Sequence, residues 1–90
     1  MLFALYGTIY MIFIIWEINM SISYKKLWKL LIDKDMMKKD LAEQAHISTA
    51  SIAKLGRNEN VNTDILLRIC TALECDIGDI MEIVIEQRTY

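Results

Sequence analysis

Hydrophobic residues recur every three or four positions through most of the chain after Ser23. This spacing predicts an amphipathic helix between Ser23 and Asp35, with lysines on its other sides. It predicts four more helices, whose apolar positions are Met37, Leu41, Ala42 and Ala45; Ile52 and Leu55; Ile65, Leu66, Ile69 and Leu73; and Ile77, Ile80, Met81 and Val84. Strand-like alternation appears only in the tail, where it is weak. The pattern therefore predicts an all-α domain of five helices.

Three of the predicted helices begin with the same local pattern. Ser48, Asn62 and Asp76 can each accept a hydrogen bond from a backbone N–H in the first helical turn. Each of them also follows an apolar residue that can pack against another apolar residue four positions into the helix. The second helix would start at Met37, whose side chain supplies no oxygen, so we expect a looser start there.

The second and third predicted helices are short and closely spaced. A helix over residues 38–45, a turn at His46 and Ile47, and a helix that starts at Ser48 form the layout of a helix-turn-helix. In that motif the second helix enters the DNA major groove with its N-terminus leading. The third predicted helix ends near Gly56 or Asn58, because both residue types tolerate the left-handed conformation past a helix end.

Composition and charge narrow the class of protein. Ninety residues form one domain at most, and 54% hydrophobic and 24% charged residues without proline are typical of a compact helical chain. The net charge is only −2, but it is unevenly distributed. Residues 23–57 carry eight Lys and Arg against four Asp and Glu, and residues 58–90 carry two against seven. The basic half is the one expected to meet a polyanion.

The segment "KKDLAEQAHISTASIAKLGRNENVNTDILLRICTALECDIGDI" resembles the five-helix Cro and lambda-repressor-like (XRE-type) transcriptional regulators, most closely their small stand-alone bacterial members. The resemblance extends from about Ser21 to Ile83. It implies sequence-specific binding of double-stranded DNA by a small regulator, expected to be a repressor, with a recognition helix at about Ser48–Leu55. Two positions depart from the family pattern: His46 replaces the usual turn glycine and needs a positive φ, and Met37 replaces a small hydroxyl cap.

Eight DNA contacts follow from the resemblance. Lys38 is expected to contact a phosphate or the edge of the site. Thr49, Ala50 and Lys54 are expected to read bases, with Ser48 and Ser51 beside them. Arg57 and Asn58 are expected to contact the DNA backbone beyond the helix. Lys54 could donate to guanine O6 and N7, and the Ala50 methyl group could pack on a thymine methyl group. Because long polar side chains are few, the expected specificity is modest.

The first sixteen residues carry no charge. They are somewhat short for a membrane-spanning helix and lack the basic start of a secretory signal. Trp16 and Glu17 require the codons TGG-GAR, which resemble a ribosome-binding site just upstream of the Met20 codon. We therefore predict an apolar extension at 1–19, either a mistaken start or a membrane-associated helix. The DNA-binding domain follows at 20–84 and a tail at 85–90.

No other residues suggest catalysis or a bound metal. Cys70, Cys75 and His46 form neither a disulfide framework nor a zinc site, and no nucleophile is paired with a base. Asp76 and Asp79 are explained by helix capping. We expect no enzyme activity, no cofactor and a cytoplasmic protein associated with the bacterial nucleoid, with membrane association as the minor alternative.

Apolar residues in the tail suggest a partner surface. A homodimer through the fifth predicted helix and the tail would suit DNA binding, because two-fold dimers read half-sites about 34 Å apart. Two other functions stay open. The fold could serve as a protein-interaction module through its third helix or its acidic half, or the chain could be a membrane-tethered regulator.

Overall fold

The computed structural model describes residues 18–87. In chain order its elements are β1 (Ile18–Ser23), α1 (Lys25–Asp33), α2 (Lys38–Ala45), α3 (Thr49–Gly56), α4 (Thr63–Leu73), a 3-10 turn (Ile77–Asp79) and β2 (Glu82–Gln87). These elements confirm the first four predicted helices. The predicted extension at 1–19 lies outside the described residues except for Ile18 and Asn19, which belong to β1.

The prediction of a fifth helix, and with it an all-α class, is wrong. One 3-10 turn at Ile77–Asp79 is followed, after two residues, by strand β2. The apolar positions here satisfy a helical spacing, but Ile83, Val84 and Ile85 form a run of β-branched residues, which favours a strand. Its pairing partner lies at the other end of the described chain, where local periodicity cannot reveal it. The described fold is mostly helical, with four α-helices and a two-stranded sheet.

Strands β1 and β2 pair in antiparallel register from Ile18 opposite Gln87 to Ser23 opposite Glu82. Because side chains alternate between the two sheet faces, one face collects the hydrophobic residues Met20, Ile22, Ile83 and Ile85. We call this set the apolar ribbon face. Ile22 packs against the core, while the other three side chains are exposed.

One hydrophobic core lies among the four helices and positions α2 and α3. Its buried members are Tyr24, Leu27, Leu31, Leu41, Ala45, Ile47, Leu55, Leu66, Ile69, Leu73 and Ile80. Leu41 on α2 and Leu55 on α3 are fully buried. The two helices of the predicted motif are therefore held by core side chains on one side, which leaves their other sides exposed.

The predicted caps are confirmed. Backbone N–H groups donate to cap oxygens at 3.1 Å for Ser51 to Ser48, 3.0 Å for Ile65 to Asn62 and 2.7 Å for Ile77 to Asp76. Asp76 caps the 3-10 turn and not an α-helix. At the start of α2 the side chain of Met37 makes no cap hydrogen bond, as predicted, and the Asp40 carboxylate instead accepts from the Met37 N–H at 2.8 Å.

Candidate nucleic-acid interface

The turn between α2 and α3 has the conformation that the sequence predicts. His46 adopts φ 55° and ψ 47°, in the left-handed region usually occupied by glycine. Its carbonyl oxygen accepts a hydrogen bond of 3.0 Å from Arg68 Nη1 on α4. Arg68 Nε in turn donates to Asp64 at 2.9 Å. Arg68 therefore ties the turn to α4.

Sequence reasoning missed Arg68 because only part of its role has a local signal. Asp64 and Arg68 are four residues apart on one helix, the spacing of a surface ion pair. The hydrogen bond to His46 joins residues 22 positions apart and follows from the packing of α4 against the motif.

The outward side of α3 is open to solvent. Thr49, Ala50 and Lys54 are exposed, as the resemblance implies for base-reading residues. Leu55 is buried on the opposite side. Ala53 is also exposed on this helix, although it was not among the predicted site residues. Small side chains therefore allow a close approach to most of the helix, and Lys54 is the one long cation on it.

Serine side chains shape the start of α3. The hydroxyl groups of Ser48 and Ser51 lie 3.1 Å apart, and Ser48 also caps the backbone N–H of Ser51. Ser48 is exposed, whereas Ser51 is half-buried. These hydroxyl groups are partly committed to the cap, so their first role is to fix where the helix begins.

A groove with a cavity volume of about 490 Å³ runs between α2 and α3. Thr49 and Ile52 line it from α3, and Lys38 and Lys39 line it from α2. Lys39 is a cation that sequence reasoning left out of the site. The sequence signal for Lys39 is its position next to Lys38 at the start of the same helix.

Lys38 is held in place by an aromatic ring. Its Nζ atom lies 4.4 Å from the centroid of the Trp28 ring on α1, which is cation–π distance. The same atom lies 3.9 Å from the position that a Cβ atom would take at Gly56, the last residue of α3. Lys38 thus brings a positioned positive charge beside the end of α3 while the residue stays exposed.

The two predicted contacts beyond α3 already have partners within the protein. Arg57 Nε forms an ion pair with the Glu59 carboxylate. Asn58 adopts φ 55° and its Oδ1 accepts a hydrogen bond of 3.0 Å from the Tyr24 backbone N–H. The Tyr24 hydroxyl donates to the Glu59 carbonyl oxygen at 3.1 Å, and burial raises the pKa of this phenol. Asn58 therefore connects the loop to α1.

The part of the chain that the structure describes contains no group of three His, Cys, Asp or Glu residues that could hold a metal ion. Between residues 18 and 87, no helix has both the length and the apolarity that crossing a bilayer requires.

Comparison with known proteins agrees with this geometry. The chain belongs to the Cro/C1-type helix-turn-helix DNA-binding domain family, whose sequence model matches residues 26–86. Its structure is similar to the crystal structure of the transcriptional regulator VanUg, with 54% sequence identity and a TM-score of 0.72. That match covers 76% of this chain and 91% of the VanUg chain. No curated protein matches the chain.

Proposed function

We propose that this protein is a small transcriptional regulator that binds double-stranded DNA sequence-specifically and represses by occupying its site. The open side of α3, with the exposed residues Thr49, Ala50 and Lys54, is the observation that carries the proposal. A core-anchored helix with short side chains at its start can enter the major groove and reach base edges. The 54% identity to VanUg, a transcriptional regulator, supports the same role.

Contacts with the DNA backbone are assigned to cations around α3. Lys38 and Lys39 lie at the start of α2 and line the α2–α3 groove, and Lys38 is held over Trp28. Arg57 Nε is paired with Glu59, so a phosphate would share the guanidinium with that carboxylate or displace it. We therefore assign the larger share of phosphate binding to the two lysines and a smaller share to Arg57. Asn58 is assigned to the loop structure.

Selection from a random duplex library tests this function directly. We expect an enriched site whose affinity decreases steeply with salt, because cation–phosphate contacts release counterions. Weak binding without enrichment would contradict sequence-specific regulation. It would favour the protein-interaction alternative, in which the same fold contacts a protein partner.

Single lysine substitutions separate base reading from phosphate binding. Lys54→Ala should weaken binding to the selected site by about 1–3 kcal/mol and relax the base preference at one position. Lys38→Ala should weaken binding to all sequences alike and lower the salt slope by about one unit. Fluorescence anisotropy at several salt concentrations measures both effects.

Lys26→Ala is the matched control for loss of one charge. Lys26 Nζ donates to the Gly78 carbonyl oxygen at 3.2 Å and lies 4.0 Å from the Glu82 carboxylate, so its charge is engaged with the C-terminal part. We expect little change in affinity or salt slope. If Lys54→Ala behaved like Lys38→Ala on every sequence, direct base reading by Lys54 would be wrong.

We also propose that the protein is a homodimer, but through the apolar ribbon face and not through a fifth helix. Met20, Ile83 and Ile85 are 66%, 57% and 59% exposed on this face. An isolated two-stranded sheet is only marginally stable in water, and pairing with the same face of a second copy would cover these side chains. A two-fold dimer would also match a palindromic site.

Sedimentation of charged variants tests this dimer. Ile85→Lys places a charge on the apolar ribbon face and should give a monomer that binds a palindromic site at least tenfold more weakly. Ser21→Lys adds the same charge to the opposite sheet face and should remain a dimer. A wild-type protein that stays monomeric at high concentration would exclude the dimer without affecting the proposal of DNA binding.

A further inference from the structure

The two cysteines of the chain meet where α4 ends. Glu74 adopts φ 51° and ψ 53°, and the N–H of the following residue, Cys75, donates to the Cys70 carbonyl oxygen at 3.0 Å. A second hydrogen bond joins the Glu74 N–H to the Thr71 carbonyl oxygen at 3.4 Å. This pair of hydrogen bonds defines a Schellman motif, which brings the side chains at the positions of Cys70 and Cys75 into contact.

Two free thiols therefore lie next to each other at the end of α4. Both residues are half-buried. The backbone hydrogen bond between them limits their Cα atoms to a separation of about 7 Å or less, close to the range that disulfides span. Both thiols line an open groove with a cavity volume of about 550 Å³.

The surroundings give the two thiols different roles. Burial raises the pKa of Cys70 to about 11, helped by the neighbouring Cys75 and by Asp76 and Asp79. Burial also raises the pKa of Cys75, and Asp79 and Asp76 add to this, while Cys70 and the charge of Lys34 act in the opposite direction. Because the Lys34 cation favours a thiolate at Cys75, we assign the first attack to Cys75.

We propose that Cys70 and Cys75 form a reversible dithiol–disulfide site that reacts with small disulfides of the glutathione type. The Cys75 thiolate attacks one sulfur of the small disulfide, forms a mixed disulfide and releases one small thiolate. Cys70 gives up its proton and attacks the Cys75 sulfur, which releases the second small thiolate. One disulfide is reduced to two thiols, and two protein thiols are oxidised to one disulfide.

Geometry favours a dithiol–disulfide site over a metal site and over a pair of unreactive core thiols. Within residues 18–87 no third His, Cys, Asp or Glu is placed to complete a metal site. Both residues pack against the core on one side but also line an open groove, so a small disulfide can reach them. The raised pKa values make the first step slow at neutral pH and faster as pH rises, because the thiolate is the attacking species.

Incubation of the folded protein with glutathione disulfide, followed by acid quenching and intact mass measurement, tests the proposal. The wild type should lose two hydrogen atoms and retain no glutathione. Cys70→Ser should keep one glutathione on Cys75, because the second thiol is missing. Cys75→Ser should acquire glutathione at least tenfold more slowly than Cys70→Ser.

The denatured protein provides the control for geometry. In denaturant the two thiols are no longer held together by the Schellman motif, but they also lose the burial that raises their pKa. The rate of ring closure is therefore measured against pH in both states and compared per thiolate, and on that basis it should be slower in denaturant. Equal rates of closure per thiolate in the folded and denatured protein would overturn the proposal. Accumulation of a stable glutathione adduct on the folded wild type, or of disulfides between chains, would also overturn it.

Discussion

Replacement of Leu55 by alanine is expected to lower the free energy of unfolding by about 2–5 kcal/mol. Leu55 is fully buried and anchors α3 to the core, so truncation removes apolar contacts and leaves a cavity under the helix that carries Lys54. In a domain of this size such a loss lowers the melting temperature by roughly 10 °C or more. Thermal and urea unfolding, followed by circular dichroism, measure the change.

Leu67→Ala is the matched control. Leu67 has the same side chain in a helix but is 64% exposed, so the same truncation should change stability by about 0.5 kcal/mol or less. An equally small effect of Leu55→Ala would mean that α3 is not held by the core as described.

Asn58→Ala is expected to lower the free energy of unfolding by about 2–4 kcal/mol through two separate effects. Alanine tolerates the left-handed conformation at this position less well than asparagine. The Tyr24 backbone N–H also loses its acceptor, and an unsatisfied backbone donor costs about 1–3 kcal/mol. Denaturant unfolding of the variant measures the sum.

Asn60→Ala serves as the comparison, because Asn60 is an exposed asparagine in the same loop with a negative φ. It should be nearly neutral. DNA titration below the melting temperature then separates the two roles suggested for Asn58. A structural role leaves the salt slope unchanged once the folded fraction is taken into account, whereas a lower slope would restore Asn58 to the phosphate-binding residues.

The parts of the fold that the sequence predicts depend on local interactions. The spacing of apolar residues predicted α1 to α4, and the caps at Ser48 and Asn62 lie within a few residues of the groups they bind. For the helices and their caps, the interacting residues lie within about one helical turn of each other. The positive φ of His46 was implied by the family resemblance, because glycine usually occupies this turn position.

Contacts between distant residues account for what the sequence did not predict. The C-terminal strand depends on a partner at the start of the described chain, so its residues up to Val84 were assigned to a fifth helix from spacing and the rest to a weakly alternating tail. The resemblance assigned Asn58 to DNA, and its hydrogen bond with Tyr24 could not be predicted because it joins residues 34 positions apart. Exposure of Thr49, Ala50 and Lys54 was implied by the family resemblance, but the cation–π contact of Lys38 required the packing of α1 against α2.

The pairing of β1 with β2 has a consequence for the order in which the protein can fold on the ribosome. The helices between the strands can form and pack while translation continues, because most of their contacts are local. Strand β1 emerges before the helices, and its register partners from Glu82 to Gln87 emerge after them. During that interval the apolar side chains of β1 and its unpaired edge are exposed to other nascent chains. The growing chain is therefore most prone to aggregation before the sheet is complete.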